Sequence, residues 1–227
     1  MSAARLRLLQ LVSPALPVGA FSYSEGLEVL VQAGRLADAA AVAAWLEAEL
    51  QRGLLAVEAA ALAPLRSALA SWREGQPQGE SSVRDLDGWL LAQREAAEVR
   101  AQQRQMGRSL LQLLADLGWP LPPSSAPAPL GWPAAWAWAG LCLELDAAEV
   151  REAYLYGWCA NQISAAVRLV PLGPTDAQRL QLALAPRLAA CAAALEGRDP
   201  RDLRGGGVGA SMAQLGHGEL YSRLFRS

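Results

Sequence analysis

The feature that most constrains the fold is the stretch Val150–Val170, with the sequence VREAYLYGWCANQISAAVRLV. It is long enough for several helical turns and apolar on nearly every face. A helix that is hydrophobic all round belongs in the centre of a core, with other helices packed about it. Pro171 ends the helix, because proline disfavours helical geometry at the residue before it.

Two polar residues of this helix, Ser164 and Arg168, are four apart and therefore share one face. If that face is buried, Arg168 must find acceptors, because an unpaired buried charge is very costly. We interpret Arg168 as a structural arginine bonded to neighbouring helix ends. The alternative is that it serves as an interface or functional anchor.

Composition indicates one large globular domain. The chain has 227 residues, of which 52% are hydrophobic and 19% charged, enough for a sizeable core. Its net charge of −2 provides no general attraction to nucleic acid or to an anionic membrane. All of its basic residues are arginine, which excludes a Schiff-base lysine and a phosphate-binding P-loop lysine. No apolar run is long and clean enough to predict a membrane span.

Cysteine and histidine spacing predicts no metal site and no cofactor. The three cysteines and the single histidine, His217, match no zinc-binding pattern. An odd number of cysteines in apolar surroundings fits a reducing compartment, so we expect a cytoplasmic protein. His217 lies among glycines near the C-terminus, and we interpret it as a solvated tail residue.

Helical spacing and capping residues predict helices along most of the chain, and no stretch shows the alternation of a half-buried strand. Ser24, Asp38, Asp146 and Thr175 are the predicted N-caps. Pro64 is expected to kink or split one helix. The predicted segments are Arg5–Val12, Ser24–Gly34, a helix after Asp38 that ends near Gly53, Leu54–Trp72, one long helix Asp85–Leu117, Trp132–Leu145, the Val150–Val170 stretch and Thr175–Leu195. A proline-rich crossing loop covers Gly118–Pro133.

The character of the chain changes at Gly197. Residues 197–218 are rich in glycine and cannot form much core, whereas the segment ELYSRLFRS that follows is aromatic and cationic. Such a segment is typical of a docking element that becomes ordered on a partner or on its own protein. The sequence therefore predicts an all-α, single-domain helical bundle over residues 1–196 with a flexible C-terminal tail over residues 197–227.

No catalytic constellation is evident. GxSxG and GxxxxGK[ST] are absent, and the paired carboxylates lie on surfaces that look solvated. The residues therefore favour a binding module over an enzyme.

Four stretches, in order, resemble the UreF family of urease accessory proteins. They are LLQLVSPALPVGAFSYSEGLE at Leu8–Glu28, RQMGRSL at Arg104–Leu110, YLYGWCANQISAAVRLVPLG at Tyr154–Gly173 and YSRLFRS at Tyr221–Ser227. The sequence departs from the family pattern in two places: Pro174 and Ala177 replace the more usual Gln and Gly, and Gly218 separates His217 from Glu219.

The resemblance implies a non-enzymatic, all-α assembly factor that forms homodimers. It implies binding to UreD (also called UreH), recruitment of the GTPase UreG, and nickel insertion into apo-urease. No metal or cofactor is expected in this chain, because the metal and the nucleotide would be carried by UreG.

The resemblance also suggests which residues contact which partner. For the surface facing UreG we predict Phe21, Tyr23, Glu25 and Arg223, because an exposed aromatic beside an arginine is typical of an interface hot spot. Core packing is the alternative for Phe21. The predicted contacts with UreD are Leu220, Tyr221, Leu224 and Phe225. For the dimer interface we predict the long helix, with Arg100 and Arg104.

Two other functions stay open at this point. One is a general helical dimeric interaction scaffold with unrelated partners. The other is an enzyme that uses the Phe21–Glu25 loop with Arg168 or Arg223 as an anion site, which requires a concave pocket where these residues converge.

Overall fold

Ten α-helices make up the part of the chain that the computed structural model describes, residues 3–124 and 128–227, and no strand occurs there. The protein is all-α, as the sequence predicts. The helices are α1 (Ala3–Leu11), α2 (Leu27–Gln32), α3 (Ala39–Arg52), α4 (Leu54–Arg73), α5 (Gly79–Ala92), α6 (Ala97–Asp116), α7 (Trp132–Cys142), α8 (Ala147–Leu169), α9 (Pro174–Ala194) and α10 (Val208–Gly216). Short 3₁₀ helices occupy Ala20–Ser22, Pro200–Asp202 and His217–Glu219.

Two helices, α4 and α8, form the centre of the molecule. Helix α4 packs against α3, α5, α7 and α8, while α8 also contacts α1, α2 and α9. The central position predicted for the Val150–Val170 stretch is confirmed, since Leu155 and Cys159 are completely buried. Helix α4 is long and apolar enough to cross a membrane, but just over half of its most apolar stretch is buried, as in the core helix of a soluble protein.

Pro64 neither ends nor splits α4, which is continuous from Leu54 to Arg73. Leu62 and Leu65 on either side of it are buried in the core. Burial of these side chains outweighs the loss of one main-chain hydrogen bond.

The single long helix expected over Asp85–Leu117 is wrong: the chain leaves helical geometry between Ala92 and Ala97. Arg94 lies in this break and is only 5% exposed, and its Nε donates to Oε1 of Glu58 on α4 at 3.0 Å. Arg100 closes the break by donating from Nη1 to the main-chain oxygens of Arg94 and Glu95, at 2.5 Å and 2.7 Å. A buried ion pair therefore interrupts a sequence whose spacing alone is helical.

The predicted N-caps are confirmed in two of four positions. Asp38 accepts from the N–H of Ala41, and Asp146 accepts from the N–H of Ala148, both at 2.8 Å. Helix α9 begins at Pro174, which puts Thr175 inside its first turn, and α2 begins after Gly26 rather than at Ser24. Part of the predicted crossing loop, residues 125–127, lies outside the described residues.

The C-terminal segment folds back onto the body of the protein. Helix α10 packs against α2 and α6, and Phe225 is buried. The sequence left open whether this segment becomes ordered on a partner or on its own protein; here it contacts its own protein. The domain boundary expected at residue 197 stays a prediction.

Candidate protein-binding site

The loop Ser24–Gly26 is the point at which the N-terminal and C-terminal segments meet. The main-chain oxygen of Ser227 accepts from the N–H of Ser24 at 2.8 Å, from the N–H of Glu25 at 3.0 Å and from the hydroxyl of Ser24 at 2.7 Å. Ser24 and Ser227 are both almost completely buried. The last residue is thus fixed against a loop more than two hundred positions earlier in the chain.

Glu25 and Gly26 adopt left-handed backbone conformations, with φ of 51° and 89°. Such a conformation is strained for glutamate, and it persists because the surroundings hold it. The Glu25 carboxylate accepts from Nε2 of Gln102 on α6 at 2.7 Å and from Nε1 of Trp158 on α8 at 3.0 Å. Gly26 has to be glycine for a second reason, because a Cβ there would lie 2.9 Å from the main-chain nitrogen of Gln214 on α10.

Glu28 holds the tail from the side of α2. This residue is only 2% exposed, and its two carboxylate oxygens accept from the main-chain N–H groups of Leu224 and Phe225 at 2.7 Å and 3.1 Å. Ser227 adds a further link, since its hydroxyl donates to Oε1 of Gln102 at 2.6 Å. Because the Glu28 carboxylate accepts from two main-chain N–H groups, it fixes the backbone of the tail directly.

His217 is completely buried, so its interpretation as a solvated tail residue is wrong. The sequence around it forms the end of α10, which carries the ring between two carboxylates. Nδ1 lies 2.8 Å from Oε2 of Glu98, and Nε2 lies 3.5 Å from Oε2 of Glu28 without forming a hydrogen bond. Glu98 also pairs with Arg223 at 3.0 Å. We call Glu25, Glu28, Glu98, Gln102 and His217 the tail-anchoring cluster.

The N-terminal loop and the tail that this cluster holds also carry exposed aromatic and cationic side chains. Phe21 is 68% exposed, which excludes core packing for it, and Tyr221 is fully exposed. Arg223 and Leu224 are about half exposed. We call Phe21, Tyr221, Arg223 and Leu224 the tail surface.

Arg168 contacts both the loop that carries Phe21 and the tail. It is exposed rather than buried, so it does not need the helix-end acceptors that burial would demand. Its Nη1 donates to the main-chain oxygen of Phe21 at 3.3 Å, and its guanidinium lies 4.5 Å from the centre of the Phe225 ring. Stacking of an arginine on an aromatic face stabilises such a contact.

The remaining residues predicted from the sequence divide by exposure. Tyr23 and Glu25 are each 6% exposed, and Phe225 is 5% exposed, so these three hold the loop and the tail in place from within. Leu220 is half-buried. Arg100 is bonded to main-chain oxygens of the break before its own helix, whereas Arg104 is exposed on α6. The roles toward partners that the sequence predicts for all of these residues stay predictions.

Sequence reasoning missed Glu28, Glu98, Gln102 and Gln214 as parts of this site. Gln102 and Gln214 are buried polar residues on helices α6 and α10, and nothing in the local sequence shows that they meet. The glutamates looked like ordinary charges of a solvated helix face. One feature of the sequence could have indicated that Glu25 belongs to the site. In the segment SEGLE, a glycine directly follows this glutamate and directly precedes an apolar helix.

The tail-anchoring cluster offers little to a chemical reaction. Two cavities in the described part of the chain, one between α3, α4 and α9 and one beside Asp87 and Arg94, are not lined by Phe21–Glu25, Arg168 or Arg223. Within residues 3–124 and 128–227 no group of three His, Cys, Asp or Glu side chains is placed to hold a metal ion. Burial raises the pKa of the Cys159 thiol to about 12, so the nucleophilic thiolate is scarce at neutral pH.

Fold and site together define an all-α protein that displays aromatic, aliphatic and arginine side chains around an ordered C-terminal segment. This composition is typical of the core of a protein–protein interface. Residues 36–185 match the UreF family.

Relatives extend the match to nearly the whole chain. A urease accessory protein UreF of Alkalilimnicola ehrlichii is 42% identical over 99% of this chain and 96% of its own length. Its counterpart in Synechocystis sp. is 37% identical over 99% and 98%, and one in Prochlorococcus marinus is 35% identical over the full length of both. The chain belongs to the UreF family of urease accessory proteins, which confirms the resemblance carried by the four motifs. The family is named for an accessory role and for no reaction, in agreement with the expectation of a protein that is not an enzyme.

Proposed function

We propose that this protein is a cytoplasmic scaffold that binds UreD and recruits the GTPase UreG, so that nickel is inserted into apo-urease. Membership in a family of urease accessory proteins supports a role in urease maturation. The observation that carries the proposed partner surfaces is the tail surface: exposed Phe21 lies in the loop that the tail-anchoring cluster holds, and Arg223 lies in the tail and pairs with Glu98 of that cluster.

The surface for UreG centres on Phe21 and Arg223. Phe21 lies in a short 3₁₀ helix, and its main-chain oxygen accepts a hydrogen bond from Arg168. Arg223 is ion-paired with Glu98. The backbone of Phe21 and the side chain of Arg223 are therefore positioned before a partner arrives, which lowers the entropy lost on binding. Tyr23 and Glu25 act from below by fixing the loop.

The surface for UreD extends from the exposed tail residues to α10. Val208 and Met212 are each 68% exposed and Leu215 is 52% exposed, at spacings of four and three residues. These spacings put the three side chains on one face of the helix. A helix of nine residues with an exposed apolar stripe is stabilised when a partner covers that stripe.

A homodimer completes the proposal, and two surfaces compete for it. Arg104 on α6 is the side predicted from the sequence. The second surface consists of Leu6 and Leu9 on α1, which are 54% and 52% exposed, and Tyr156 on α8, which is 40% exposed and lies on a helix that α1 contacts. Sedimentation of Arg104→Glu and Leu6→Glu distinguishes them, because only the variant at the true interface becomes monomeric.

The test is co-purification with UreD and then with UreG. Full-length protein is compared with a chain truncated before Glu219 and with Phe21→Ala and Arg223→Ala. Arg226→Ala is the matched control, since it removes an exposed arginine of the same segment. We expect the truncation to lose UreD, the two point variants to lose only UreG, and the control to retain both.

The result that overturns the proposal is a folded full-length protein that binds neither partner. Retention of UreD by the truncated chain refutes the role of the tail. Equal loss of UreG by Arg226→Ala and Arg223→Ala shows that charge, and not the position beside Glu98, decides binding. Thermal unfolding of each variant separates loss of binding from loss of fold.

A further inference from the structure

A cleft of about 660 Å³ lies between the end of α3, the first turn of α4 and the second half of α9. None of its lining residues belongs to the tail-anchoring cluster or to the tail surface. Much of its lining is apolar, and the apolar lining residues include Leu50, Ala56, Val57, Cys191, Leu195 and Leu203.

Helix α9 extends this apolar surface beyond the cleft. Between Leu182 and Ala194 the only charged residue is Arg187, and it is ion-paired with Glu47 of α3. Leu182 is 74% exposed. The exposed residues of this stretch include Ala183, Ala185, Pro186, Ala189 and Ala190. The outer face of a surface helix ordinarily carries charged and polar side chains, so an outward face of this composition indicates a surface that becomes covered.

The two ends of the cleft differ in charge. Glu47 pairs with Arg187, and the thiol of Cys191 donates to the main-chain oxygen of Leu50 at 3.3 Å, so α3 and α9 run side by side in the same direction. One end of the cleft is therefore neutralised by an ion pair. At the other end lie Arg52 and Arg204.

The positive charge at this second end is only partly offset. Within the described part of the chain no hydrogen bond or salt bridge involves the side chain of Arg52 or Arg204. A carboxylate lies beside this end, that of Glu49, whose oxygens lie close to Gly53 and Gly207. Burial raises the pKa of Glu49 to about 7, with a further contribution from the charge of Glu25, although Arg94 and Arg52 lower it, so its negative charge is incomplete near neutral pH.

We propose that this cleft and the adjoining face of α9 bind an amphipathic segment of a partner protein, apolar on one side and acidic at the end that meets Arg52 and Arg204. An apolar helix face laid into an apolar groove is a common mode of peptide recognition. Charge complementarity fixes the orientation of the segment, because among the described residues only one end of the cleft carries arginines that form no salt bridge. A small ligand could fill the cleft but would leave the α9 face uncovered. The site is independent of the proposed function, since it shares no residue with the surfaces assigned to UreD and UreG.

The probe is a fluorescent peptide of about twelve residues, which spans about 18 Å as a helix. It carries leucines at helical spacing and glutamates at one end, and a matched peptide carries lysines in place of the glutamates. Binding is measured by fluorescence anisotropy. Location is measured independently by the rate at which a thiol reagent modifies Cys191, because Cys142 and Cys159 are buried whereas Cys191 is accessible at the cleft.

We expect the acidic peptide to bind wild type and to slow modification of Cys191. Arg204→Glu and Ala190→Glu are each expected to weaken binding about tenfold or more. Arg198→Glu is the control, because it makes the same charge change at an exposed arginine that does not line the cleft, and it should bind normally.

Four results overturn the proposal: no binding of the acidic peptide, binding without protection of Cys191, equal binding by the lysine peptide, or unchanged binding by Arg204→Glu and Ala190→Glu. Dodecanoate is tested in parallel. If it protects Cys191 while the acidic peptide does not, the site belongs to a small amphiphilic anion, and the partner-segment proposal is wrong.

Discussion

At the scale of single residues, the Glu58 carboxylate in the core is held by two buried partners, Arg94 and Tyr154. Its Oε1 accepts from Arg94, and its Oε2 accepts from the hydroxyl of Tyr154 at 2.8 Å. Burial raises the pKa of Tyr154 well above its ordinary value, and the neighbouring Glu58 carboxylate adds to this effect, so the hydroxyl remains a donor. All three groups depend on one another, since each is at most 5% exposed and has little access to water.

Arg94→Met removes one member of this network and leaves the Glu58 carboxylate buried without its cation. We expect a loss of about 3–5 kcal/mol in the free energy of unfolding, measured by urea denaturation. The double variant Arg94→Met/Glu58→Met should recover most of this loss, because no buried charge is then unpaired. A single variant as stable as wild type would contradict the account of this ion pair.

Asp87 predicts a specific pH dependence of stability. Burial raises its pKa from 3.8 to about 6, against the opposing effect of the Gly131 N–H, which donates to it at 2.9 Å. Because the folded state binds this proton more tightly than the unfolded state, its ionisation costs nothing below about pH 4 and reaches its full cost above about pH 6.

Asp87→Asn keeps an acceptor for Gly131 and removes the buried charge. We expect it to raise the free energy of unfolding on the order of 2 kcal/mol at about pH 8 and to change it little at about pH 4. Denaturation curves at both pH values, with the exposed Asp202→Asn as control, measure this. An equal effect of Asp87→Asn at both pH values would refute the assignment.

At the scale of helices, Gly107 explains part of the motif RQMGRSL. A Cβ at this position of α6 would lie 2.5 Å from the main-chain oxygen of Leu130 and 2.8 Å from the carbonyl carbon of Gly131. Glycine therefore allows α6 to approach the segment that enters α7. Gly88 on α5 is the matched case, since a Cβ there would meet nothing within 4 Å.

Gly107→Ala should destabilise the protein by about 1–3 kcal/mol, because backbone atoms must move apart. Gly88→Ala should stabilise it by about 0.5–1 kcal/mol, since alanine restricts the unfolded chain and favours the helix. Thermal unfolding of the two variants measures both effects. The same sign of change for both would contradict the packing described for α6.

The tail offers a prediction about local stability. Glu28→Ala removes the acceptor of two main-chain N–H groups, at Leu224 and Phe225. We expect amide hydrogen exchange over residues 217–227 to become about tenfold faster or more, while exchange in α4 stays unchanged. Glu152→Ala, an exposed glutamate on α8, is the control. Unchanged exchange in the tail of Glu28→Ala would show that other contacts hold it.

Secondary structure could be predicted from the sequence where it is determined by neighbouring residues. The apolar stretch that becomes α8 and the caps at Asp38 and Asp146 depend on periodicity and on neighbouring residues. The break before α6 could not be predicted, because it results from an ion pair between Arg94 and a residue on another helix. His217 was misjudged for the same reason: its partners, Glu28 and Glu98, are brought to it only by the packing of α10.

At the scale of the whole molecule, two surfaces on different elements are available to partners. The tail surface consists of exposed residues of the N-terminal loop and of the tail, both of which the tail-anchoring cluster holds. The cleft lies between α3 and α9. Because they share no residue, binding at one does not obstruct the residues of the other. Separate surfaces are compatible with the proposed role of the protein as a scaffold.

Urease activity tests the central claim most directly. It is measured in bacterial cells that express urease and the other accessory proteins from the same source but lack their own UreF. We predict that this chain restores nickel-dependent urease activity, and that Phe21→Ala/Arg223→Ala, expressed at the same level and equally stable, does not. Failure of the folded wild-type chain to restore activity, or full restoration by the double variant, would contradict the account.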